Sequence, residues 1–149
     1  IRWIMQEKTS QAIEKIEKSL LHKGLRFTAP RRDVLKALLQ GKPPMKAYDL
    51  VESMKGVKPM TVYRALDFLV AEGLVHRIES LNAYVPCIER HCEHTDSQYL
   101  ICDSCGKIEE LHNHAIDDFL KEKLIKLGFS ITHKTMELHG QCKRCIKNS

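Results

Sequence analysis

Four cysteines in two pairs, Cys102-x-x-Cys105 and Cys142-x-x-Cys145, carry the clearest chemistry in the sequence. Two residues between paired cysteines let both sulfurs face one point on a tight turn. Two such knuckles supply the four thiolates that a tetrahedral zinc ion prefers. The 36 residues between the pairs exceed a zinc-ribbon spacer, but a helix and a strand fit within them and can return the chain. A closed four-sulfur shell leaves no open position for substrate, so its role is folding. Thiol–disulfide chemistry is the competing use of the same residues, since loss of zinc would free four thiols to oxidise.

A second concentration lies at residues 87–96, CIERHCEHTD, where two cysteines, two histidines and three carboxylates share ten positions. Imidazole, carboxylate and water together suit iron(II) or manganese, and a thiolate shifts the preference toward zinc. Cys87, His91, Cys92 and His94 are the candidates within it. Further along, His112, His114 and His133 could form another site with Asp96 or Asp117. Each of these histidines fits a solvated or packing role equally well.

All six cysteines lie beyond residue 86, unlike a secreted disulfide framework, which spreads them through a smaller chain. In an intracellular chain, Cys-x-x-Cys pairs favour metal. The opening IRWIM lacks the apolar core of a secretion signal. No apolar run reaches the ~18 residues of a membrane span. A cytoplasmic chain with no membrane partner is expected.

The charge is uneven, and it points to a polyanion. Residues 1–80 carry 15 Lys and Arg against 9 Asp and Glu, whereas residues 81–149 carry 9 against 10. A basic half suits nucleic acid, and a solvated basic surface is the plainer alternative.

The elements that must position these residues follow from periodicity. SQAIEKIEKSLLHKGL places Ala12, Ile13, Ile16, Leu20 and Leu21 on one helical face, with Gly24 as stop. RRDVLKALL repeats the pattern with Val34, Leu35, Leu38 and Leu39. AYDLVESM does so with Ala47, Leu50, Val51 and Met54, and PMTVYRALDFLVAEG with Val62, Ala65, Leu66, Leu69 and Val70. Pro59 suits a first helical position. After Gly73 the period becomes two, and LVHRI and AYVP read as a hairpin around SLN. Short helices followed by a small hairpin describe a winged helix, with a helix-turn-helix between the third and fourth helices. In the second half, QYLIC and KIEEL read as strands joined by the first knuckle. AIDDFLKEKLIKLG reads as a helix with Ile116, Phe119, Leu120, Leu124 and Leu127 inward, and FSITHKTMELHG as a strand. The fold class is α+β. Residues 6–81 form a winged-helix domain, 82–86 a hinge, and 87–149 a dimerisation and metal-binding domain.

On TVYRALDFL, Thr61, Tyr63, Arg64 and Asp67 fall mainly on the outer face. A recognition helix places its N-terminal residues against base edges in the major groove. Arg64 can donate two hydrogen bonds to a guanine, and Tyr63 can touch a thymine methyl or a phosphate. Arg31 and Arg32, at the start of an earlier helix, suit phosphates. The plainer alternative is a half-buried Tyr63 and solvated arginines.

The stretches RFTAPRRDVLKALL, AYDLVESM, PMTVYRALDFLVAEGLVHRIES, CDSCGKIEEL and HGQCKRC together resemble the ferric uptake regulator family of bacterial metal-dependent repressors. The resemblance runs from about residue 10 to residue 146. It implies a DNA-binding winged helix, an α/β domain that makes a homodimer, and a structural zinc on Cys102, Cys105, Cys142 and Cys145. It also implies that Tyr63 and Arg64 contact DNA. The family's iron sensors carry a His-rich run before the first knuckle, and HCEHTDSQYLIC departs from it. The zinc uptake regulator branch is the better likeness. That branch implies a regulatory zinc on His76, Cys87, His94 and Glu110, with His91 and Cys92 as alternatives if the loop register slips. The expected protein is a zinc-responsive repressor with two Zn2+ per subunit. It binds palindromic double-stranded operator DNA as a homodimer, controls zinc uptake genes, and has no small-molecule substrate. A family member sensing iron, nickel, manganese or peroxide is the alternative. A zinc hydrolase built on His76, His94 and Glu110 is the more distant one, and no His-Glu-x-x-His pair supports it.

Overall fold

The computed structural model describes residues 2–87, 96–111, 113–132 and 134–147. The chain divides into two compact units, residues 1–90 and 91–149.

The first unit holds four helices and a hairpin. They are α1 (Arg2–His22), α2 (Ala29–Gln40), α3 (Ala47–Ser53), α4 (Pro59–Ala71), β1 (Val75–Ile78) and β2 (Ala83–Pro86). The apolar stripes read from the sequence meet in one core. Val34, Leu35 and Leu38 of α2 pack with Ala47 and Leu50 of α3, Val62, Ala65, Leu66 and Leu69 of α4, and Val75 and Tyr84 of the hairpin. Two stripe residues are exposed, Leu21 at 74% and Val70 at 38%. Each directly follows a buried leucine, Leu20 or Leu69, and so lies about 100° round the helix from it. Pro59 opens α4 at a position whose N–H would lack an intrahelical acceptor anyway. Asp49 accepts from the Lys46 amide at 3.1 Å and caps α3.

β1 and β2 pair antiparallel with His76 opposite Val85 and Val75 opposite Pro86. Asn82 turns the hairpin in the left-handed region, φ 46°, which its short polar side chain tolerates. Residues 83–86, read from the sequence both as the strand AYVP and as part of the hinge, form the second strand of the wing. Their ladder to β1 holds them in the first unit, and Tyr84 also exchanges backbone bonds with Met45.

The second unit contains β3 (Asp96–Cys102), β4 (Ile108–Glu110), α5 (His114–Lys126), β5 (Lys134–Gly140) and α6 (Lys143–Lys147). Its sheet has the order β4-β3-β5. β4 follows β3 antiparallel across the first knuckle, and β5 returns parallel to β3 after α5. Asn113 caps α5, accepting from the Ala115 amide at 3.0 Å. Two expectations need correction. The last strand begins only at Lys134, so residues 129–132 are a connection. On α5, Ile116, Leu120 and Leu124 are half-buried, but Phe119 and Leu127 are 58% and 78% exposed. The buried face of α5 is narrower than the apolar stripe.

Candidate metal centres and DNA-reading face

The four knuckle cysteines converge. Cys102 ends β3, Cys105 lies in the turn to β4, Cys142 follows β5 and Cys145 sits in α6. Parallel pairing sets Cys102 opposite Gly140 and so brings the second knuckle to the first. All four sulfurs lie within 4.8 Å of one another, and Cys105 and Cys142 are 3.8 Å apart. A tetrahedron with Zn–S bonds of ~2.3 Å has edges of ~3.8 Å, so the spacing fits zinc. None of the four is in a disulfide.

The backbone prepares the site for anionic sulfur. The Cys142 amide points at Cys102 Sγ at 3.3 Å. That hydrogen bond, with a second from the Cys105 backbone, brings the Cys102 thiol down to about 6. The Cys145 backbone likewise lowers Cys142. Cys145 is pushed up to about 12, because its thiol donates to the Cys142 and Cys105 sulfurs. Four sulfurs this close cannot all be anionic without a cation among them, which is the chemistry of a structural metal site. Gly106, φ 71°, lets the first knuckle close tightly, and its amide donates to the Cys102 carbonyl at 2.8 Å.

In the first unit, His76 lies mid-strand on β1 and Cys87 just beyond β2, both half-buried. The Cys87 amide donates to Leu74 O at 2.9 Å, which holds it beside β1. A His76 ring nitrogen and the Cys87 sulfur lie within 4.8 Å of each other. Cys87 is disulfide-bonded in this structure, so its sulfur becomes a metal ligand only after reduction. In the second unit, Glu110 is half-buried at the end of β4, opposite Tyr99. Its neighbour Glu109 is exposed and ion-paired with Lys107. Strand alternation therefore separates the two carboxylates.

His91, Cys92 and His94 lie outside the described residues, as do His112 and His133. Asp96 is the first residue of β3, and His114 is exposed at the start of α5. Asp117, a possible partner of those histidines, is engaged elsewhere. It is 8% exposed, accepts from Gln98 Nε2 at 2.8 Å and pairs with Lys134. The sequence reading missed this pair, because nothing local links residues 17 positions apart.

On α4, Tyr63 is 43% exposed, Arg64 is exposed and Thr61 is half-buried. The other two arginines are held within the first unit. Arg31 stacks on Phe68 at 3.5 Å and donates to the Arg26 carbonyl. Arg32 pairs with Glu17 and lies 5.4 Å over Phe27.

A family model described as "Ferric uptake regulator family" matches residues 22–139. The chain belongs to this family. It is 35% identical to the "Zinc uptake regulation protein" of Escherichia coli (strain K12) over 144 residues, covering 93% of this chain and 84% of that protein. Among solved structures, "Zinc Uptake Regulator Complexed With Zinc AND DNA" matches with a TM-score of 0.85 and 35% identity, over 94% of this chain and 96% of that one. Holo XcZur matches with 0.84 and 37%, over 91% and 96%. Family members of this kind regulate transcription and are not enzymes.

Proposed function

We infer that this chain is a zinc-responsive transcriptional repressor that binds palindromic operator DNA as a homodimer and controls zinc uptake genes. The observation that carries this is the likeness, at 35% identity over nearly the whole chain, to a regulator solved with zinc and DNA. The four-sulfur cluster adds support, being sized for zinc. No helix among the described residues is long and apolar enough to cross a membrane. The reading places the protein in the bacterial cytoplasm, where thiols stay reduced.

Two zinc ions per subunit have separate duties. Cys102, Cys105, Cys142 and Cys145 hold the structural ion, which ties the end of β3 to α6. We assign the regulatory ion to His76, Cys87, His94 and Glu110. The nearness of His76 to Cys87 supports that set, as does the separation of Glu110 from Glu109. Zinc favours a four-coordinate shell of nitrogen, sulfur and oxygen. His76 and Cys87 belong to the first unit and Glu110 to the second, so an ion bound by all three couples the units. Thr61, Tyr63 and Arg64 read the operator from α4. Arg31 and Arg32 serve the phosphates only through the parts of their guanidinium groups that Phe68, Phe27 and Glu17 leave open.

The test is selection of random duplex DNA by the purified, reduced chain. It is run at buffered high free zinc, and again with zinc chelated to the level that spares the tight site. A palindrome enriched only with zinc is expected. Enrichment under both conditions would show DNA binding without zinc sensing, and no enrichment would remove the DNA-reading role.

A further inference from the structure

We propose that Met60 is a specificity-determining residue that sets its side chain against a thymine methyl group beside the base read by Arg64. The inference rests on α4 being the DNA-reading helix. Met60 is the second residue of α4 and is 61% exposed. The four apolar residues of the inner face, Val62, Ala65, Leu66 and Leu69, are all at 2% exposure or less. The core therefore does not use Met60, and the fold leaves a large apolar side chain in solvent at the tip of the helix.

Its neighbours give that exposure a purpose. Residues three and four apart share a helix face, so Met60, Tyr63 and Arg64 form one continuous stripe. Helical side chains lean toward the N-terminus, so the first-turn residue projects furthest beyond the helix end. Lys58 precedes it as an exposed cation, and Pro59 adds no competing N–H. Among the described residues Arg64 has no hydrogen bond or ion pair, which leaves its fork open for a base. In the major groove the apolar feature of a base pair is the thymine methyl. An unbranched thioether adapts readily to such a small target.

The experiment uses the zinc-loaded full chain and the operator recovered by selection. Each thymine of one half-site is replaced in turn by deoxyuridine, which removes only the methyl group. Affinities are measured by fluorescence anisotropy for the native chain, Met60→Ala, Met60→Leu and Arg64→Ala, with zinc content and circular dichroism confirming each fold. One thymine is expected whose replacement weakens the native chain about fourfold, the worth of one buried methyl group. Met60→Ala should not respond at that position, and Met60→Leu should respond as the native chain does. Equal responses of native and Met60→Ala chains at every thymine overturn the assignment. If instead Arg64→Ala binds as tightly as the native chain, α4 is not the reading helix, and both inferences fall.

Discussion

Asp117 and Cys142 are both acidic groups that need a cation, and they obtain it in different ways. Asp117 finds Lys134, with side-chain exposures of 10% and 9%, and its other contact is Gln98. A carboxylate already neutralised by a buried ammonium has little left to offer a metal. Asp117→Asn should therefore leave zinc content per subunit unchanged, as measured by atomic emission. It should still cost about 3 kcal/mol in urea unfolding, because it removes the carboxylate from a largely buried ion pair. A drop in bound zinc would restore Asp117 to a third site. Cys142 feels the charges of Lys107 and Arg144, but shares them with three neighbouring sulfurs. Its sulfur stands 3.8 Å from Cys105, and a metal ion is the cation that geometry fits. Cys142→Ser should remove one zinc per subunit and unfold the second unit, seen as lost amide dispersion in NMR. Structural zinc sites contribute on the order of 10 kcal/mol to folding, more than a 59-residue unit has to spare.

At the scale of elements, α4 serves two surfaces at once. Leu66 is wholly buried in the core, while Tyr63 and Arg64 face out. Leu66→Ala should cost about 3 kcal/mol in thermal or urea unfolding. Operator affinity, measured well below the new melting point, should stay within about twofold of native. A large loss there would mean that the reading face depends on packing it does not share. The helices and wing of the first unit were legible because their apolar stripes close on one another within a single chain. The α5 stripe was legible as a stripe but not in its burial. Phe119 and Leu127 follow the helical period, yet this chain alone does not cover them. The strand AYVP was read at its observed bounds, although the hinge set over residues 82–86 overlapped it. Each cysteine pair was legible from its Cys-x-x-Cys spacing, while parallel pairing of β3 with β5 makes the two pairs meet. The Asp117–Lys134 pair was not, because parallel strand pairing creates it and no local pattern records it.

For the molecule as a whole, function requires that zinc change what the first unit can do on DNA. A ligand shifts a two-state equilibrium only by its differential affinity for the states. Moving from 1% to 99% competent takes ~5.5 kcal/mol, which one ion gains if it draws ligands from both units in one state and from one unit in the other. In the proposed mechanism Cys87 is the residue to test, because it follows the wing directly and its sulfur lies within 4.8 Å of a His76 nitrogen. It must also be reduced to act. Cys87→Ser should keep the structural zinc and the melting behaviour of the second unit. It should weaken operator binding at high free zinc by at least tenfold. What binding remains should be the electrostatic attraction of the basic first half, with the same affinity for any duplex and a steep loss with added salt. Native, zinc-dependent affinity in Cys87→Ser would show that zinc acts without this thiolate, and coupling through a shared ion would have to be abandoned.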